Sequence, residues 1–164
     1  MPYYLLVLQR RSLGIAKPDP MPGKNARRLV AWCSENAAAK CALLHQIADL
    51  EPADRKAALM EIEKLIQIAA SGQPVPVFYD EKQCHKTHSF EYKGKTRDVW
   101  RVRRGNVRVT FCYGRDKVML LTHAFPKHRG KLSNAQKSAL ERAVEAFVDA
   151  EEAGAVSYVK EDTK

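Results

Sequence analysis

Cysteine is sparse in this 164-residue chain, and the four present, Cys33, Cys41, Cys84 and Cys112, form no CxxC pair. That spacing speaks against a zinc ribbon and against a disulfide scaffold, so free thiols are expected. Long hydrophobic runs are missing too: no stretch approaches the roughly 18 apolar residues that a membrane-crossing helix requires. The opening MPYYLLVLQRR has no basic leader, long apolar core or cleavage site, which points to a cytoplasmic protein with no membrane partner. Internal repeats and low-complexity tracts are lacking as well. With 45% hydrophobic and 29% charged residues, the composition is that of one globular domain, read as 1-154 with a frayed tail over 155-164.

What the chain has in excess is positive charge. The net charge is +9, and it is unevenly spread: residues 75 to 130 hold 13 Lys and Arg against 5 Asp and Glu. Between Lys82 and Arg108 the ratio is nine to two. Like charge at that density repels itself unless something neutralises it, so a polyanionic partner is indicated.

Tyr3 to Leu8 reads as a short buried strand, and 10-25, with three prolines and two glycines, as an irregular connection. From Arg27 to Leu50 the apolar positions Leu29, Cys33, Ala37, Cys41, Leu44 and Ala48 recur every three or four residues, which predicts a helix. A second helix starts at Pro52, is marked by Leu59, Ile62, Ile66 and Ala69, and ends before Gly72 and Pro74, giving a helical hairpin. The period then changes to two. Val99 to Arg103, Val107 to Tyr113 and Val118 to Phe125 predict a three-stranded meander, and Ser133 with Gln136 resembles a capping box opening a last helix. The expected fold class is therefore α+β: a small antiparallel sheet, made of the N-terminal strand plus the meander, packed with a helical hairpin and a C-terminal helix.

Strand parity assigns the faces of the meander. A two-residue turn, whether Arg104-Gly105 or Gly105-Asn106, puts Arg101, Arg103 and Arg108 on one face. Trp100, Val102, Val107, Val109, Phe111 and Tyr113 fall on the other. Like charges opposite one another destabilise a hairpin, so an anion bridging them is the functional reading. The alternative is salt-bridging to Glu91, Asp98 or the acidic last helix.

The pieces Val99-Trp100-Arg101, Val107-Arg108-Val109, Leu120 to Lys127 and the helix near Ser133 occur in an order that resembles the RelE/HigB type toxins of toxin–antitoxin pairs, in particular their phage-derived branch. The resemblance covers about Pro74 to Glu152. Val99, Val107 and His128 stand where that branch has an acidic residue, a tyrosine and a second lysine. The resemblance implies a RelE-like fold, an antitoxin partner, and a metal-independent endoribonuclease that cleaves messenger RNA, often in the ribosomal decoding site, with no cofactor. It implies that Arg101, Arg108 and Lys127 stabilise the scissile phosphate, because a guanidinium fork matches two phosphate oxygens at once.

His128, between cations, is the first candidate for general acid or base, with His123 and Tyr113 secondary. Arg103, Arg104, Lys93, Lys95, Arg97 and Arg129 are read as further RNA contacts. Cys84, His85 and His88, with Cys112 or His123, form a weaker alternative constellation for zinc. Two other functions stay open: a non-catalytic nucleic-acid-binding protein of a phage or mobile element, and a gyrase inhibitor similar to the ParE toxins.

Overall fold

The computed structural model of the protein describes residues 2–126 and 132–160. Its strands are β1 Tyr3–Val7, β2 Arg28–Cys33, β3 Cys84–Tyr92, β4 Lys95–Arg104, β5 Val107–Tyr113, β6 Val118–Pro126 and β7 Val156–Tyr158. Its α-helices are α1 Ala42–Ala48, α2 Pro52–Ser71 and α3 Asn134–Glu152. All seven strands join one sheet in the order β3-β4-β5-β6-β2-β1-β7. The pairs β1 with β7 and β2 with β6 are parallel, whereas β1 with β2 and the run β3 to β6 are antiparallel.

Helices cover both faces of this sheet. α1 and α2 bury Leu43, Ile62 and Leu65 against Leu6, Leu29, Val102, Val109 and Phe111. On the other side α3 buries Leu140, Val144 and Phe147 against Leu5, Val30, Val99, Cys112 and Leu120. The capping box at its start is formed as the sequence indicates: Gln136 N donates to Ser133 Oγ and Ser133 N to Gln136 Oε1. Among the described residues no helix is long and apolar enough to cross a membrane.

Four sequence expectations are corrected. The sheet is seven-stranded and mixed, not small and antiparallel. The N-terminal strand does not flank the meander, because β2 lies between β1 and β6. The helix expected over Arg27 to Leu50 is largely a strand: Leu29, Val30 and Ala31 are consecutive and buried, as in a strand covered on both faces, and only α1 is helical beyond a 3₁₀ turn at Ala38–Lys40. Finally, Val156–Tyr158, within the expected tail, pairs with β1. The connection over 10–25 is irregular apart from a 3₁₀ turn at Arg10–Leu13.

Candidate nucleic-acid interface

The turn between β4 and β5 is Gly105-Asn106, with Gly105 at φ 55, a left-handed value glycine adopts without strain. Arg104 therefore pairs with Val107, Arg103 with Arg108, and Arg101 with Thr110. This register places Arg101, Arg103 and Arg108 on the α3 side of the sheet and Trp100, Val102, Val107, Val109 and Phe111 on the α2 side.

Two rows of side chains cross the strands here. One runs His85, Arg101, Thr110, His123 and the next Arg103, Arg108, Phe125. Both rows lie beyond the apolar row Val99, Cys112 and Leu120 that α3 covers. A bulge between Thr110 and Phe111 in the β5–β6 ladder brings Thr122 and His123 both to Thr110: the Thr110 and Thr122 hydroxyls are 2.6 Å apart, and His123 N donates to Thr110 Oγ1 at 3.1 Å.

The arginines are held tightly. Arg101 and Arg108 each expose only 6% of their surface. Burial first, then the charges of Arg108 and Arg103, push the Arg101 guanidinium below its usual range; burial and Arg103 do the same to Arg108. Arg101 Nη2 donates to His85 Nε2, while Arg101 Nη1 has no hydrogen-bond partner among the described residues. His85 Nδ1 lies 2.7 Å from Lys86 O, so Nδ1 carries the proton and Nε2 the lone pair that Arg101 addresses.

The acids that could have neutralised Arg101 and Arg103 are engaged elsewhere. Asp98 accepts from Ser89 and faces Lys86, Glu91 accepts from Thr96, and Glu141 meets His88 at 3.2 Å. Asp149 and Glu152 pair with Lys93, and Glu151 accepts from Arg115. Among the described residues Arg101 and Arg103 make no ion pair.

Other candidates fall away from this cluster. Arg104 lies on the α2 side, where its Nε donates at 2.9 Å to the Glu61 carboxylate, itself 2% exposed and accepting from Tyr79 Oη. Lys93, Lys95 and Arg97 sit at the opposite end of β4, about 20 to 26 Å along the strand from Arg103. There Lys93 is tied to Asp149, whose carboxyl it holds below the usual range together with Tyr92. Tyr113, 42% exposed, packs edge-on to Trp100 and Phe111 on the far face, where burial raises its hydroxyl pKa. Lys127, His128 and Arg129 lie outside the described residues.

His85 is the residue the sequence reading weighed only as a metal ligand. Its strand, β3, carries polar residues on both faces, so alternation gave no strand signal; the pairing to β4 is what sets it against Arg101. Pleating also separates Cys84, on the α2 side, from His85 and His88, and the described residues hold no cluster of metal-binding side chains. The arrangement sets guanidinium forks side by side, which suits an oxyanion, and His85 orients one of them through its hydrogen bond to Arg101. No family model matches this chain, and no curated protein matches its sequence.

Proposed function

We propose that this protein binds RNA by its phosphates on the Arg101, Arg103 and Arg108 face, and that it is a metal-independent endoribonuclease of the toxin type, restrained by an antitoxin. The observation that carries the reading is the concentration of three guanidinium groups on one sheet face, two of them without an acidic neighbour among the described residues. A buried guanidinium without a carboxylate, as Arg101 is among the described residues, calls for an anion, and a phosphodiester fits the guanidinium fork.

In the proposed reaction the 2′-oxygen attacks the adjacent phosphorus and loses its proton to an imidazole. The 5′-oxygen leaves with a proton from a second donor, and a 2′,3′-cyclic phosphate remains. Arg101 and Arg108 stabilise the negative charge that builds on the phosphate oxygens. His128 is the imidazole of choice for its place in the sequence, while His85 holds the Arg101 guanidinium in position through its hydrogen bond.

The test is incubation of purified protein with ribosomes and message, and with free message, in excess chelator. Cleavage that disappears in Arg108→Ala and falls by roughly a hundredfold in His128→Ala supports the reading. RNA binding without any cleavage favours a non-catalytic binding protein instead. Inhibition of gyrase with messages intact favours the ParE-like alternative.

A further inference from the structure

β2 and β6 are parallel neighbours, yet the helices that follow them lie on opposite faces of the sheet: α1 and α2 after β2, α3 after β6. Such a switch point opens a crevice at the carboxyl ends of the two strands, the place where open sheets hold small ligands. Here the strands part after the Ala31 and Leu121 pair, and a crevice of about 840 Å³ opens between α1 and α3. That volume falls within the roughly 300 to 1,000 Å³ of small-molecule sites.

Its composition is that of a seat for a flat ring. Trp32, 41% exposed, contributes apolar surface, and Ala139 and Ala143 leave the α3 wall low. Thr122 and His123 bring polar atoms to it. His123 Nδ1 is buried and has no hydrogen-bond partner among the described residues, a state that native structures avoid unless something supplies the missing bond. The crevice also adjoins the arginine face: His123 pairs with Thr110, Thr110 with Arg101, and Arg108 stands one row along, about 5 to 10 Å from His123 across the strands.

We infer that this crevice seats one unstacked nucleobase of the bound RNA, its edge hydrogen-bonded by His123 Nδ1 and its face against Trp32, while its phosphate lies on Arg101 and Arg108. The inference rests on the phosphate-binding reading of those arginines. Single-stranded RNA is read by splaying bases onto aromatic side chains and bonding their edges, and an imidazole nitrogen can act as donor or acceptor toward any base.

The experiment uses the full chain carrying Trp100→Phe, which leaves Trp32 as the one tryptophan. A single-stranded RNA hexamer and an abasic backbone of equal length are titrated while Trp32 emission is followed. The hexamer is expected to quench Trp32 and to bind about tenfold tighter than the abasic strand. Adding Ala143→Leu, which bulks the crevice wall, should remove the quenching and the tenfold preference and leave abasic binding unchanged, with helicity checked by circular dichroism. Equal affinity for the two strands with unchanged emission, or a preference that survives Ala143→Leu, overturns the base seat and leaves the arginine reading standing. Failure of both strands to bind overturns the two together.

Discussion

A guanidinium stays protonated throughout the range in which proteins fold, so the burial of Arg101 and Arg108 is a standing electrostatic cost to the native state. Arg101 returns little of it, since its hydrogen bond goes to an imidazole nitrogen rather than a carboxylate and its neighbours are cations. Arg101→Met is therefore expected to leave stability unchanged or raise it by about 1 kcal/mol in urea unfolding while weakening RNA binding. A loss above about 2 kcal/mol would make Arg101 a structural residue. Arg104 is the contrasting case. Its partner Glu61 is 2% exposed, so Arg104→Met strands a buried carboxylate, and a loss of about 3 kcal/mol is expected in the same measurement with RNA affinity unchanged. His123 adds a pH dependence. Burial lowers its pKa below the ordinary 6.5, so the folded state takes up a proton less readily than the unfolded one. Its contribution is neutral above about pH 6.5 and destabilising as pH falls through that value, and His123→Gln should flatten the decline in urea midpoint between about pH 7.5 and 5.5.

At the scale of elements, the tight approach of the β5–β6 turn to α3 is what closes the second core. A Cβ at Gly114 would stand 2.5 Å from Phe147 Cζ and 2.8 Å from Glu151 Oε2. Phe147 is buried and cannot yield cheaply, so Gly114→Ala should cost about 2 kcal/mol, read from denaturant midpoints. The elements legible in the sequence are those whose local signal agrees with their environment. A two-residue hairpin at Gly105, though not which of its two registers, the face assignment of Arg101, Arg103 and Arg108, α2, and the Ser133 capping box all carry their own punctuation. β2 was hidden because a strand buried on both faces does not alternate, and Leu29, Cys33 and Cys41 happen to fall at helical spacing. β3 was hidden for another reason: from His85 to Ser89 it is polar on both faces and carries a bulge between Lys86 and His88, so only Phe90 and Tyr92 alternate with polar residues. β7 is three residues long, too short for any pattern. Of the candidate site, the arginines were legible from parity, whereas His85 beside Arg101 and the crevice at His123 depend on strand neighbours distant in sequence.

For the whole molecule, the sheet divides the charge. Its α2 side satisfies Arg104 with Glu61, and the far end of β4 satisfies Lys93 with Asp149 and Glu152, while Arg101, Arg103 and Arg108 stand together on the α3 side. The crevice at the ends of β2 and β6 adjoins this face through His123, so the proposed phosphate grip and the proposed base seat are neighbours. Neutralising phosphates releases counterions, so affinity should fall with salt in proportion to the contacts made. The most direct measurement is the salt dependence of single-stranded RNA affinity for the wild type and for Arg101→Ala/Arg103→Ala/Arg108→Ala. Loss of three phosphate contacts should weaken binding and flatten the slope of log affinity against log salt by about 2. An unchanged affinity and slope in the triple variant would contradict the assignment of this face as the RNA-binding surface.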